Sequence, residues 1–148
     1  MSVTASYTTE IVIPEPQLVA ASGNIRGIPS MTVMRTALQK IATERGGTIT
    51  NGYRDCNGVF HECIFGLQTA DCQNGIGVDV GPDGHVIFRH DQQGVNARVA
   101  QAICDDVARA YAVVAVIQAQ RNMGYAVKVD REQKVVSGTR VETNGVKV

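Results

Sequence analysis

The chain concentrates its reactive side chains between residues 56 and 72. This segment holds three of the four cysteines and one of the three histidines of the sequence, namely Cys56, His61, Cys63 and Cys72. Three thiolates and an imidazole are a sufficient ligand set for Zn²⁺. On one strand, His61 and Cys63 would project to the same side, because side chains alternate along a strand. The sequence therefore offers these four residues as a candidate zinc site.

The spacing of the same residues leaves other interpretations open. Six residues separate Cys56 from Cys63, and eight separate Cys63 from Cys72, whereas zinc knuckles usually pair ligands about two to four residues apart. A thiol-redox pair, Cys56–Cys63 or Cys63–Cys72, would have to form without a Cys-x-x-Cys motif. Small buried cysteines in strands and a loop explain the pattern as well. For Cys104, inside a helical segment, a buried structural position is expected.

A second group of titratable side chains surrounds the turn Gly81-Pro82-Asp83-Gly84. Its members are Asp79, Asp83, His85, His90 and Asp91. Carboxylates and imidazoles together could perform acid–base chemistry. Asp83 is also favoured in a turn for backbone reasons, and nothing in the sequence fixes the mutual geometry that catalysis needs. We recognise no catalytic constellation, and the sequence favours a binding protein over an enzyme.

The longest regular pattern in the chain runs from Val95 to Met123. Its apolar residues recur at intervals of three and four, which predicts one amphipathic helix roughly 40 Å long. From Ala110 to Ile117 the pattern is apolar all round, and a surface helix would present a polar side there. We expect this part to be covered by a protein partner, most simply a second copy of the chain. The interface residues expected are Tyr111, Val113, Val114, Val116 and Ile117.

The order of elements predicts the fold class. A strand at residues 7–13 is followed by a loop at residues 15–29, a helix from Ser30 or Thr32 to Gly46, several short strands, the long helix and a further strand. The turn at residues 81–84 predicts a β-hairpin, and Asn144-Gly145 predicts another. We expect a single α+β domain over residues 1–148, with a mostly antiparallel sheet, two helices packed on one face and ferredoxin-like character.

Composition limits the partners and the location. Fourteen basic and 14 acidic residues give a net charge of zero without a basic stripe, so nucleic acid is not an expected partner. No apolar run is long enough to span a bilayer, and the polar first residues do not resemble a secretory signal. The sequence therefore predicts a soluble cytoplasmic protein with reduced cysteines, no cofactor, and a zinc ion only if the cysteine cluster assembles.

Several local strings carry a resemblance to a known family. They include the strand of residues 8–13, Asn51-Gly52-Tyr53-Arg54, and the helical segment of residues 109–114 that continues to Met123-Gly124-Tyr125. With the order of elements, these strings resemble the plastid hypothetical reading frame 35 family, also called domain of unknown function 1257, of cyanobacteria and red-algal plastids. Residues 15–30 and 56–72 depart from that family. The resemblance implies a small cytosolic α+β accessory protein and brings no catalytic residues.

Overall fold

Five antiparallel strands form the main sheet of the computed structural model, which describes residues 3–130, 135–140, 142–143 and 146–147. In chain order the strands are β1 (Thr4–Val12), β2 (Thr48–Arg54), β3 (Phe60–Thr69), β4 (Cys72–Val80) and β5 (His85–Asp91). In space their order is β1-β5-β4-β3-β2, and each neighbouring pair is antiparallel. Strands two to five thus form a meander, and β1 is added beside β5.

Three α-helices and two small hairpins complete the described part of the chain. The helices are α1 (Glu15–Ala20), α2 (Pro29–Arg45) and α3 (Ala97–Asn122), with a short 3-10 turn at Ile25–Gly27. After α3, strand β6 (Tyr125–Asp130) pairs with β7 (Val135–Arg140), and β8 (Glu142–Thr143) pairs with β9 (Val146–Lys147). The hairpin expected at Asn144-Gly145 turns at residues outside those the structure describes.

The predicted α+β class and the mostly antiparallel sheet are confirmed. The strand order differs from ferredoxin-like character, because the chain after α2 enters the sheet at its far edge as β2 and does not form a split βαβ unit beside β1. The predicted loop at residues 15–29 contains α1 and the 3-10 turn. A proline in the first turn of α1 supports this helix, since proline suits a helix start.

The two long helices have ends that the local sequence dictates. In α3, Asn96 caps the N-terminus, and its side-chain oxygen accepts hydrogen bonds from the N–H groups of Arg98 and Val99. Helix α2 begins at Pro29 and ends at Arg45, and the following Gly46 has a φ of 64°, the left-handed conformation expected of a capping glycine. Both ends of α2 therefore follow from residues that suit a helix terminus.

One face of the sheet packs against α2 and α3 to form the hydrophobic core. The helices contribute aliphatic residues at helical spacing, and the strands contribute alternate apolar residues of β3, β4 and β5. The largest buried members are Met31, Met34, Leu38, Ile103 and Val107 from the helices and Leu67, Val78, Val86 and Phe88 from the strands. Cys72 and Cys104 belong to this core as well.

The opposite face of the sheet is crossed by the outer half of the β2–β3 hairpin. Tyr53 of β2 lies over Gly75 and Gly77 of β4, although β3 separates β2 from β4 in the sheet. A Cβ atom on Gly77 would collide with Tyr53 and with Cys63, and one on Gly66 would collide with the backbone of Gly52. The crossing therefore requires glycine at Gly66, where the backbone of Gly52 approaches closely, and at Gly77, where the side chains of Tyr53 and Cys63 occupy the space.

An irregular stretch of β3 allows the outer half of the hairpin to fold across the face of the sheet. The β2–β3 register shifts between Thr50 and Gly52, so β3 has extra residues around Cys63 and Ile64. The backbone groups freed there are satisfied by side chains: Arg26 donates to the carbonyls of Cys63 (3.1 Å) and Ile64 (2.7 Å). The N–H of Ile64 donates to Asp79 Oδ1 at 3.1 Å. These contacts fix the bulge, whose extra residues bend the strand.

We expect Gly66→Ala to destabilise the protein by about 3 kcal/mol or more, because the added methyl would overlap backbone atoms that cannot move aside. Gly81→Ala is the matched control: at this turn glycine the added methyl would meet the flexible tips of Ile87 and Asp83. Urea unfolding of both variants measures the difference in free energy of unfolding. Equal, small losses for the two variants would contradict the proposed steric role of Gly66.

A charged cluster joins α2, α3 and the β3–β4 turn. Arg45 donates to Asp71 Oδ2 and to Asp106 Oδ2, both at 2.8 Å. Arg109 also donates to Asp106, and the Thr69 hydroxyl donates to Asp71 at 2.6 Å. The Thr69 and Arg45 contacts lower the pKa of Asp71. Burial acts to raise the pKa of Asp106, but hydrogen bonds from Arg45 and Arg109 lower it below its usual value.

We expect Arg45→Met to reduce the free energy of unfolding by about 1–2 kcal/mol at neutral pH, since the partly buried carboxylate of Asp106 and the exposed carboxylate of Asp71 both lose a charged donor. A carboxylate with a lowered pKa contributes stability above its unfolded pKa and loses it as the pH falls. The difference between wild type and variant should therefore shrink below about pH 4. Urea unfolding across this range tests it, with exposed Arg35→Met on the same helix as control. A difference that does not depend on pH would contradict the role of the two carboxylates.

Candidate functional site

The structure places the three cysteines of the predicted metal site in three separate environments. Cys56 is exposed in the β2–β3 turn, and its thiol donates to Gln93 Oε1 at 3.4 Å. Cys63 is buried beneath the hairpin beside Gly77, whereas Cys72 lies in the core on the helix side of the sheet. Within the described part of the chain, no group of three His, Cys, Asp or Glu side chains is placed to hold a metal ion.

The predicted set of Cys56, His61, Cys63 and Cys72 is therefore not assembled in the described structure. The physical reason is the sheet itself, because Cys63 and Cys72 are buried on its opposite faces. Spacing along the sequence could not reveal this, since the extra residues in β3 change the side to which Cys63 points.

His61 is bound to a carboxylate that the sequence analysis did not single out. Its Nε2 atom lies 2.9 Å from Asp55 Oδ2, and Asp55 Oδ1 accepts the N–H groups of Asn57 (2.9 Å) and Val59 (3.0 Å). The His61 hydrogen bond lowers the pKa of Asp55 below its usual value, with the two N–H donors adding to this effect against the opposing effect of burial. Asp55 thus closes the turn of the β2–β3 hairpin as an Asx-type residue.

The His61 ring continues a chain of contacts across the sheet. It stacks on Tyr53 with 5.0 Å between ring centroids. The Tyr53 hydroxyl lies 3.0 Å from the hydroxyl of Thr4 on β1. An Asp–His pair can activate a nucleophile held within hydrogen-bond distance. The neighbouring Cys56 thiol is instead directed to Gln93, so the contacts of this pair fasten the hairpin across the sheet to β1.

A second buried carboxylate holds the same turn from below. Asp91 is 1% exposed, and its two oxygens accept the N–H groups of Cys56 and Gln93. Burial acts to raise the pKa of Asp91, but these backbone donors lower it below its usual value. A carboxylate that accepts several backbone N–H groups stays charged. The only sequence signal for this role is that Asp91 is an acidic residue directly at the end of an alternating strand.

The other acidic and imidazole residues expected near residues 79–91 do not converge. Asp79 accepts from Arg89 at 3.1 Å, and Asp83 pairs with His85 within the hairpin turn at 2.9 Å. The His90 ring contacts the carbonyl of Asp91. Each member of this group is therefore engaged with a strand or turn neighbour, and they do not share a site.

The four thiols are free, and their environments disfavour the thiolate. Burial raises the pKa of Cys63 and of Cys104 to about 12, and burial also raises the pKa of Cys72. Partial desolvation and the nearby charge of Asp91 raise the pKa of Cys56 above its usual value, although this residue is exposed. Because the thiolate is the reactive form, none of these cysteines has the lowered pKa of an activated nucleophile.

We expect one cysteine to react with Ellman's reagent in the native protein and three to react only after denaturation. Cys56 is the accessible thiol, and it should react more slowly than free cysteine at neutral pH because its pKa is raised. Cys56→Ser should remove the reaction of the native protein, and Cys104→Ser should leave it unchanged as the matched control. Rapid native reaction of more than one thiol would contradict the burial of the other three.

The expected interface residues on α3 separate into two groups. Tyr111 packs against the core, and Val113, Val114 and Ile117 are half-buried. Val116 faces outward and is 44% exposed. The helix is therefore covered on more than one side, because β6 and β7 contact it in addition to the main sheet.

A different set of α3 residues forms the outward surface of its C-terminal half. Ala112, Val116 and Ala119 are exposed, and Met123, directly after the last helical residue, is 62% exposed. We call these four residues the helix stripe. Their spacing of four, three and four places them along one side of the helix. The predicted interface set did not include Ala112, Ala119 or Met123, because it was drawn from the larger apolar residues between residues 110 and 117.

In the part of the chain that the structure describes, none of the helices combines the length and apolar character needed to cross a membrane. Comparisons with protein-family models, with curated proteins and with solved structures find no match to this chain. The resemblance to the plastid hypothetical reading frame 35 family stays a prediction.

Proposed function

We propose that the protein is a non-enzymatic binding module that self-associates through the helix stripe. The observation that supports this proposal is the exposure of Val116 and Met123 in line with two alanines on α3. Spacings of three and four residues are those of a seam between two packed helices. Alanines at two of the four positions would let the helix backbones approach closely, and the larger side chains would fill the space between them.

The energetics of such a contact favour a second copy of the chain. Burying an exposed valine or methionine side chain contributes about 1.5–3 kcal/mol. In a two-fold contact both copies bury the same side chains, so each contribution is made twice. The chain has 14 basic and 14 acidic residues, so no net charge opposes the approach of two copies.

The contacts of the polar residues also support a binding role over catalysis. Asp55, His61 and Asp91 fasten the β2–β3 hairpin, and the thiols have raised pKa values. Four unpaired cysteines suit a reducing compartment, and we include a cytoplasmic location in the proposal. This function agrees with what the family resemblance implies, a small accessory protein.

Val116→Asp should convert the self-associated protein to monomers. A charge at the centre of the helix stripe would weaken the contact by about a hundredfold or more, because two apolar side chains lose their burial. Light scattering coupled to size exclusion, over a range of protein concentrations, measures the mass of wild type and variant. Circular dichroism verifies that the variant keeps its helices.

The matched control is Val19→Asp on α1, since Val19 is also an exposed valine on a helix, at 74% exposure. This control should retain the mass of the wild type. A wild type that is monomeric at every concentration would remove the proposal, and so would a control that dissociates as readily as Val116→Asp.

A further inference from the structure

We propose that the free edge of β1 and the adjacent groove against α3 bind an extended, uncharged peptide segment of a partner protein. The site lies at the N-terminal half of α3, apart from the helix stripe, and does not depend on self-association. A strand that adds to a sheet edge binds through main-chain hydrogen bonds, and pockets beside the edge select its side chains.

The edge of β1 offers a regular row of backbone groups. The N–H of Gln92 donates to the carbonyl of Val3 at 2.8 Å, which makes these two residues a hydrogen-bonded pair. In an antiparallel ladder such pairs alternate. The N–H and C=O groups of Thr4, Ser6 and Thr8 therefore point away from β5. Among the residues that the structure describes, no other strand pairs with β1 on that side.

This part of β1 is an unprotected edge. The pairing with β5 is regular from Thr4 to Thr8 and becomes irregular only between Thr8 and Val12. Residues 4–8 contain no proline and no charged side chain, the features that usually block strand addition. A regular and uncharged edge can therefore accept another strand here.

A groove of about 440 Å³ runs beside this edge, between β1 and the first turns of α3. Its walls include the ring of Tyr7 and the small side chains of Ala97, Ala100 and Cys104. Of the described residues that line the groove, none is Asp, Glu, Lys or Arg. The groove also has polar lining residues, among them His90 and two glutamines. Its apolar wall complements an uncharged apolar side chain that projects from a strand laid along β1.

A partner segment fits this groove better than the β1 strand of a second copy. In the second copy Tyr7 is already stacked on Phe88, with 6.4 Å between ring centroids. That ring would have to give up this stacking contact in order to enter the groove of the first copy. A peptide of a partner protein has no such cost, because its bulky side chain is free to enter.

The test uses a short blocked peptide of alternating threonine and valine with phenylalanine at its centre, labelled with fluorescein. Anisotropy titration against the full chain measures its affinity. Ser6→Pro removes an outward N–H group, and proline is tolerated at such an edge position. We expect it to weaken binding about tenfold. Ala97→Trp should fill the groove and weaken binding by a similar factor or more.

Ala102→Trp is the matched control, because Ala102 is exposed on α3 and does not line the groove. It should bind the peptide as wild type does. A peptide N-methylated at alternate amides, or with aspartate in place of phenylalanine, should bind at least about tenfold more weakly.

Failure of the wild type to bind the peptide would overturn the proposal, as would equal binding by wild type, Ser6→Pro and Ala97→Trp. Sizing by light scattering distinguishes one further outcome, which is self-association through the edge of β1. If Ser6→Pro dissociates a complex of the chain with itself while Val116→Asp does not, a second copy occupies the edge and the proposal is wrong. A folded Ala97→Trp variant, verified by circular dichroism, keeps the test valid even if Ser6→Pro does not fold.

Discussion

The close crossing of the β2–β3 hairpin over β4 is the constraint on which the rest of the outer face depends. The backbone of Gly52 meets Gly66, and the side chains of Tyr53 and Cys63 meet Gly77, so neither glycine position has space for a side chain. The crossing carries Tyr53 across the sheet toward Thr4 and carries the turn of residues 55–59 to the end of β5. Without it, Asp91 would face water and His61 would lack its place on the Tyr53 ring.

Buried polar groups on this face are therefore consequences of the crossing, and they stabilise it in return. Asp91 loses its hydration when the turn covers it, and two backbone N–H groups replace the water. The cost of burying a carboxylate is offset only when such donors are in place. The same argument applies to Asp55, whose oxygens accept two N–H groups and contact His61. Asp91, which belongs to the acid–base group expected from the sequence, and Asp55, which does not, thus both connect the two layers.

The sequence predicted those elements whose signals are local. The end of α2 at Gly46, the turn between β4 and β5 and the long α3 were each encoded within a few neighbouring residues. The crossing was not predictable in this way, because the bulge in β3 is fixed by Arg26 and Asp79, which are distant in sequence. The bulge also changes the face of the sheet to which Cys63 points, and this separates Cys63 from Cys72. The metal site predicted from their spacing is therefore not assembled in the described structure.

The length of α3 explains how the two proposed binding surfaces can occupy opposite ends of one helix. Its 26 residues extend about 39 Å, whereas its fully buried positions end at Ala110. The first half lies on the sheet beside β1, so its exposed side forms one wall of a groove with a strand edge. The second half extends past these core contacts, and its outward residues form a helix surface without a neighbouring strand edge. A partner at the first half must therefore supply an extended backbone, while a partner at the second half must supply an apolar helix or an equivalent surface.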